Sequence, residues 1–312
     1  MSSEFELIRQ CFSQGYPHSA DTLVAVGDDA SIVLPPAGHL LVQSLDTQVA
    51  DVHFPATAPA NLIAQRALRC AVSDLAAMGA TPQAFLLGLT LPHNQPAWLE
   101  DFASGLRACA HDCGIALIGG DTTKGRELVV SVTVQGWVAD QPRLLRASAK
   151  PGDDIWVSGV IGESALALPQ ILKRPDWSDG LAQSYYFPKP RLELGQALLD
   201  LANSAMDISD GLLQDARHIA NASAIAIQLE GESIPTAVAL GHPSWMTCLS
   251  GGDDYELLFT ASPSQRAAIT ALSAKLDLPL SRIGQCIEGE PDVTLLLDGK
   301  PVTPAAGGYQ HF

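Results

Sequence analysis

Five short acidic clusters interrupt this chain, and each lies beside a glycine or at the end of an apolar run. They are Gly27-Asp28-Asp29, Ser44-Leu45-Asp46, Gly119-Gly120-Asp121-Thr122-Thr123, Met206-Asp207-Ile208-Ser209-Asp210-Gly211 and Gly251-Gly252-Asp253-Asp254-Tyr255. Carboxylates at sharp backbone turns are suited to hard cations such as Mg²⁺, which in turn bind polyphosphate. One such cluster is an ordinary turn, whereas five together predict a site for metal and phosphate.

The charge of the chain limits its predicted partners. Its 312 residues carry 34 acidic and 18 basic side chains, so the formal net charge of −16 argues against nucleic acid or an anionic membrane as the main partner. Residues 1–10 lack the pattern of a signal peptide, and no apolar run approaches the roughly 20 residues of a membrane span. We therefore expect a cytoplasmic protein.

Strand-like and helix-like segments alternate along the chain, and this alternation predicts an α/β (α+β) protein. In the first half, four or more strands and two long helices, at residues 61–78 and 96–113, predict a sheet with helices on one face. Residues 140–154 are predicted to form a linker or crossover, after which a second α+β unit begins. We therefore expect an N-terminal domain at residues 1–140 and a C-terminal domain at residues 141–312.

Asp74 is the most informative single carboxylate. On the predicted helix it shares an apolar face with Ile63, Ala67 and Cys70. An unpaired ion there is unfavourable, and the helix dipole disfavours an anion in the C-terminal half of the helix. A bound cation would offset both costs. The alternative is a carboxylate satisfied by an arginine or a backbone amide.

The other clusters are ambiguous one at a time. Gly27-Asp28-Asp29 and Asp46 are compatible with an ordinary turn and strand end, and Ser209 or Asp210 could cap the following helix. Capping does not explain Asp207. As a set, the acidic residues are better explained by a common metal and phosphate site.

Three further features suggest ligand contacts. Two glycines before Asp121 would let backbone amides approach a phosphate, although the cluster is not a Walker A sequence. Arg146 could contact phosphate, or belong to a solvated linker. His53 could bind substrate, but a lone histidine is more often structural. We identify no Ser-His-Asp or Cys-His arrangement for covalent catalysis.

Taken in order, these motifs resemble the thiamine-monophosphate kinase family over nearly the whole chain. Besides the clusters, the resemblance rests on Glu4-Phe5-Glu6-Leu7-Ile8, Ser73-Asp74-Leu75-Ala76-Ala77-Met78-Gly79-Ala80 and Gly308-Tyr309-Gln310-His311-Phe312. It implies a two-domain AIR-synthase-like fold and a homodimer joined through the N-terminal domains. It also implies ATP-dependent phosphorylation of thiamine monophosphate to thiamine diphosphate with several Mg²⁺ ions.

The resemblance implies three groups of site residues. The implied metal ligands are Asp29, Ser44, Leu45, Asp46, Asp74, Asp121, Asp207 and Asp210. The implied ATP contacts are Gly120, Asp121, Arg146 and Ser209. The implied contacts to the thiamine substrate are His53, Asp253 and Tyr309. No residue is assigned a covalent or general-base role.

Three positions depart from the family pattern. Leu45 stands where the family usually has threonine, at a position that acts largely through its backbone oxygen. Asp253 stands where glutamate is frequent, and Ala306 where some relatives have tryptophan. The last two changes concern the fit around the thiamine rings rather than the phosphate chemistry.

The expected mechanism is direct in-line transfer of the γ-phosphoryl group, without a strong general base because the acceptor phosphate is itself an anion. The alternatives are another ATP-using enzyme of the superfamily, such as AIR synthase or selenophosphate synthetase, and a non-catalytic nucleotide- or metal-binding module. A metal-dependent phosphatase is a further alternative.

Overall fold

Four strands of the first half form one mixed sheet. The computed structural model describes residues 11–141 and 144–302. The elements of this half are β1 (Thr22–Val24), β2 (Ile32–Val33), β3 (His39–Val49), α1 (Ala60–Ala77), β4 (Thr81–Leu91), α2 (Pro96–Cys113), β5 (Ala116–Lys124) and β6 (Val129–Ala139). The order is β3-β6-β4-β5, with β4 and β5 parallel and the other neighbours antiparallel, while β1 and β2 pair separately.

The two long helices cover one face of this sheet, as the sequence predicts. Inward side chains of β4 and β6, such as Phe85 and Val132, share one apolar cluster with Leu68 of α1 and Phe102 of α2. On the other face, Leu41 and the neighbouring outward side chains of β3 are exposed. The period of two in β3 follows from the pleat, which sends alternate side chains to opposite faces.

Helix α1 is covered on both sides. It begins after Pro59 and ends before Gly79, whose positive φ of 66° suits a helix terminus. One side of α1 packs against the first sheet, while Ala76 and Ala77 join an apolar cluster with Leu194 and Leu198 of the second half. Because both sides are covered, nearly every residue of α1 is buried.

The second half is built on a seven-stranded sheet of order β13-β12-β9-β11-β7-β10-β8. Its elements are β7 (Asp154–Ser158), α3 (Glu163–Ile171), α4 (Ala182–Tyr186), α5 (Leu192–Leu198), β8 (Ser204–Asp207), α6 (Leu212–Ser223), β9 (Ala226–Glu230), α7 (Trp245–Ser250), β10 (Leu257–Ala261), α8 (Arg266–Leu276), β11 (Leu280–Ile287), β12 (Asp292–Leu297) and β13 (Lys300–Val302). All neighbours are antiparallel except β9 and β12. This arrangement confirms the expected fold class.

The segment predicted as a linker contains a short 3₁₀ helix, Arg146–Ser148, held against α6. The Ser223 hydroxyl donates to the Arg146 carbonyl oxygen at 2.8 Å and accepts from the Ala149 amide at 3.1 Å. The same 3₁₀ helix also contacts β8. In the described part of the chain, no helix has both the length and the apolar character needed to cross a membrane.

Candidate functional site

Three predicted ligands meet where α1 passes between β3 and β8, and we call Asp46, Asp74 and Asp207 the carboxylate cluster. The Ser44 hydroxyl of β3 donates to Asp74 Oδ2. The neighbouring Ser73 hydroxyl donates to Asp207 Oδ2 of β8 at 2.7 Å. Two adjacent residues of one helix thus reach both halves of the molecule. Asp74 points toward the sheet, as its place on the helix face predicts.

The carboxylate cluster carries more negative charge than its surroundings compensate. Burial, followed by the charge of Asp74, raises the pKa of Asp46 to about 6. The same two causes, in the same order, raise the pKa of Asp207 to about 7. Burial also raises the pKa of Asp74, although the Ser44 hydroxyl and the Arg146 charge act in the opposite direction. Crowded oxygen ligands of this kind fit a hard divalent cation.

The loop after β8 adds Ser209 and Asp210. The N-cap residue of α6 is Gly211, so neither Ser209 nor Asp210 has the capping role considered for it. Asp215 of α6 instead accepts the backbone amides of residues 209, 210 and 211, each at 3.1 Å, through Oδ2. The buried Asp215 therefore fixes the loop that presents Asp210.

Asp215 is a site residue that the sequence reasoning missed. Burial, then the charges of Asp207 and Asp210, raise its pKa to about 8. Potential ligand atoms of Asp210, Asp215 and His218 all lie within 4.8 Å of one another. The sequence feature that could have indicated Asp215 is its place in the first turn of a helix that follows an acidic loop.

The Gly119-Gly120-Asp121 segment lies inside a strand rather than after one. Strand β5 runs through both glycines to Lys124 because it pairs with β4 along its length. A Cβ atom at Gly120 would lie 2.1 Å from the Leu87 carbonyl oxygen, so this close pairing requires glycine. Asp121 follows Gly120, and both residues are exposed.

Asp29 lies in an exposed turn near the same edge strand. Val26, just before that turn, lines a cavity of about 60 Å³ together with Phe12 and residues 119–122. The Asp29 backbone amide donates to the Asp28 side chain at 2.8 Å, which is ordinary turn chemistry. Within the described residues, Asp29 and Asp121 thus belong to the β5 side of the sheet.

The predicted metal ligands consequently fall into two groups at opposite edges of one sheet. Asp46 of β3 pairs with Val132, which pairs with Leu87, which pairs with Gly120 of β5. Three interstrand spacings separate the two edges by about 14 Å. The carboxylate cluster therefore lies on the β3 side, well apart from Asp121.

Leu45 does not point its side chain into the carboxylate cluster. Ser44 and Asp46 face α1, whereas Leu45 faces the opposite side and is 62 % exposed. Only the backbone of Leu45 is available to a ligand on the α1 side.

Two of the three predicted thiamine contacts, His53 and Asp253, lie beside Arg66 in the first half of α1. His53 Nδ1 accepts the Val49 amide at 3.0 Å, and its carbonyl oxygen accepts a hydrogen bond from Arg66. Asp253 forms an ion pair with the same arginine at 2.7 Å. Arg66 is thus another residue that sequence reasoning missed. Tyr309 lies outside the described residues.

The Asp253 segment is anchored to the Ser209 loop. The Asp253 amide donates to the Ser209 carbonyl oxygen at 2.8 Å. Gly252 has a φ of 69°, and a Cβ there would lie 2.3 Å from the same oxygen. The predicted ATP contact Ser209 and the predicted substrate contact Asp253 are therefore neighbours.

Comparison with known proteins identifies relatives of this chain. Residues 27–138 match the family "AIR synthase related protein, N-terminal domain". The thiamine-monophosphate kinase of Escherichia coli (strain K12) is 39 % identical over 320 residues, which cover 99 % of this chain and 98 % of that protein.

Two solved structures share the fold. The crystal structure of thiamine-monophosphate kinase from Stenotrophomonas maltophilia K279a has a TM-score of 0.82 and 41 % identity, covering 91 % of this chain and 93 % of that one. AaThiL complexed with AMPPCP and TMP has a TM-score of 0.78 and 27 % identity, covering 99 % and 97 %. Identity of this extent over nearly the full length shows that the chain belongs to the thiamine-monophosphate kinase family.

Proposed function

We propose that this chain phosphorylates thiamine monophosphate to thiamine diphosphate with ATP, by direct in-line transfer assisted by several Mg²⁺ ions. The observation that carries the proposal is the carboxylate cluster, in which the buried Asp207 and the half-buried Asp46 and Asp74 converge from both halves of the chain beside Ser209. The related AaThiL, solved with AMPPCP and TMP, supports the choice of substrates.

The difficulty of the reaction is to bring two polyanions together. When bound, Mg²⁺ neutralises phosphate charge and aligns the reacting groups. Asp46, Asp74, Asp207 and Asp210 are the residues of the described chain that would hold it on the β3 side. Arg146 is exposed and acts electrostatically on both Asp74 and Asp207, which suits a contact to nucleotide phosphate.

The chain needs to supply little proton chemistry. The acceptor phosphate has its second pKa near 6, so at neutral pH an anionic oxygen attacks the γ-phosphorus and ADP leaves. Ser44 and Ser73 orient the Asp74 and Asp207 carboxylates through their hydroxyls. Orientation and charge stabilisation, rather than a general base, then account for the acceleration.

We further propose a homodimer that joins the first sheets of two copies. The uncovered face of β3 exposes Leu41 and Leu45, which favours burial against another apolar surface. Joining the β3 edge of one copy to the β5 edge of another would also bring Asp121 toward a carboxylate cluster. Within one copy, Asp121 lies well apart from the carboxylate cluster, and this separation supports the arrangement.

The test is to incubate the protein with ATP, Mg²⁺ and thiamine monophosphate, and in parallel with free thiamine. Chromatography should detect thiamine diphosphate and ADP in the first reaction only. Phosphorylation of free thiamine alone would overturn the substrate assignment. Release of inorganic phosphate from thiamine monophosphate without ATP would instead indicate a phosphatase.

A further inference from the structure

Arg66 of α1 is a buried cation whose hydrogen bonds reach three chain segments. Its side chain is 3 % exposed. Nη2 donates to Asp253 Oδ1 at 2.7 Å, Nε donates to the His53 carbonyl oxygen at 3.2 Å, and Nη1 donates to the Tyr185 carbonyl oxygen at 2.9 Å. A guanidinium has its donors in a rigid planar fork, so these three bonds fix the relative positions of their acceptors.

Tyr185 reinforces the same geometry. The guanidinium carbon of Arg66 lies 4.0 Å from the centre of the Tyr185 ring, and the Tyr185 hydroxyl donates to the His53 carbonyl oxygen at 2.8 Å. The Tyr255 hydroxyl donates to Asp253 Oδ1 at 3.2 Å. The His53 carbonyl and Asp253 Oδ1 therefore each receive two hydrogen bonds, one of which comes from Arg66.

This network constrains the Asp253 carboxylate through one of its two oxygens. Asp253 has a φ of 63°, so its backbone is also held in an unusual conformation. Both hydrogen bonds use Oδ1, and the side chain remains 27 % exposed, which leaves the Oδ2 side for a substrate. The position of Arg66 thus determines where the Asp253 carboxylate lies.

We propose that Arg66 is a positioning residue for the thiamine end of the acceptor. It holds the Asp253 carboxylate and the His53 segment in one geometry across the contact between α1 and the second half of the chain. This inference rests on the proposed function, because it takes His53 and Asp253 as the residues that contact thiamine. Arg66 itself acts through these two residues and through Tyr185.

Steady-state kinetics of the 312-residue chain test this role with Arg66→Lys, Tyr185→Phe and the control Arg69→Lys. Arg69 lies one turn further along α1, and its ion pair with Asp112, at 2.5 Å, connects α1 to α2 instead. Lysine keeps the charge of Arg66 but cannot form three directed bonds from one plane. We expect Arg66→Lys to raise the KM for thiamine monophosphate at least about tenfold, with the KM for ATP changed less than about twofold.

The controls separate positioning from general stability. Tyr185→Phe should raise the same KM severalfold, whereas Arg69→Lys should leave both KM values unchanged. If both KM values rise equally in Arg66→Lys, or if neither changes, the positioning role is wrong. If Arg66→Lys does not fold, Tyr185→Phe decides by the same criterion. A wild-type chain that makes no thiamine diphosphate would overturn the proposed function and this role with it, whereas an active wild type with unaffected variants overturns this role alone.

Discussion

Replacing Asp207 by asparagine should stabilise the metal-free protein. Asp207 is 4 % exposed, and burial together with Asp74 raises its pKa from the ordinary 3.8 to about 7. Since each pKa unit corresponds to 1.36 kcal/mol, ionising this group in the folded protein costs up to about 4 kcal/mol. Asparagine removes the charge, and its Oδ1 can still accept the hydrogen bond that Ser73 donates.

The stabilisation by Asp207→Asn should increase as the pH rises. Asp207 has a higher pKa in the folded protein than in the unfolded one. The free energy that its ionisation costs the folded state is therefore absent below about pH 4 and grows as the pH rises to about 7. We therefore expect urea denaturation in EDTA at pH 8 to show Asp207→Asn to be about 2–4 kcal/mol more stable than wild type, and the gain to vanish near pH 4. Mg²⁺ should stabilise wild type more than the variant.

Asp154→Asn is the matched control. Asp154 is also buried, but Arg266 donates to it at 2.6 and 2.7 Å. Its replacement should destabilise the protein by at least about 1 kcal/mol at pH 8. If Asp207→Asn destabilises the metal-free protein as Asp154→Asn does, the carboxylate cluster is not an uncompensated group of charges.

Three further outcomes follow from the geometry. Asp74→Asn should lower turnover at limiting Mg²⁺ by about 100-fold or more without lowering the melting temperature, and full activity at limiting Mg²⁺ would contradict the metal role. Gly252→Ala should destabilise the folded protein by about 1–3 kcal/mol, and by more than the control Gly241→Ala, whose Cβ would meet nothing within 4 Å. Equal losses of stability in urea denaturation would exclude a clash between the new Cβ and the Ser209 carbonyl oxygen. Leu45→Arg should shift the protein toward monomer in light scattering, unlike Leu172→Arg at another exposed leucine, and an unchanged mass would argue against the proposed interface.

Regular local patterns made part of the fold predictable. The period of α1 and its flanking Pro59 and Gly79 define the helix almost to the residue, and the same period places Asp74 toward the sheet. The short helices α4 and α7 and the four-residue strand β8 were missed, since their periodicity is too brief to detect. Strand β5 extends through two glycines only because β4 pairs with it.

The parts of the site that sequence reasoning missed depend on tertiary contacts. Arg66 and Asp253 are 187 residues apart, and nothing local to either predicts their ion pair. In the sequence, Asp215 does not differ from other acidic residues of helices. Its three contacts with backbone amides are seen only in the folded structure. The separation of Asp46 from Asp121 likewise cannot be predicted without the strand order, because both residues follow similar apolar runs in the sequence. The assigned ligand roles remain predictions.

The most direct test of the central claim is to follow the label from γ-³²P-ATP in the presence of Mg²⁺ and thiamine monophosphate. Direct transfer predicts that the label enters thiamine diphosphate, with one molecule formed per ADP and none retained on the protein. Direct transfer would be contradicted if label accumulated on the protein, or if label were released as inorganic phosphate while thiamine monophosphate remained unchanged.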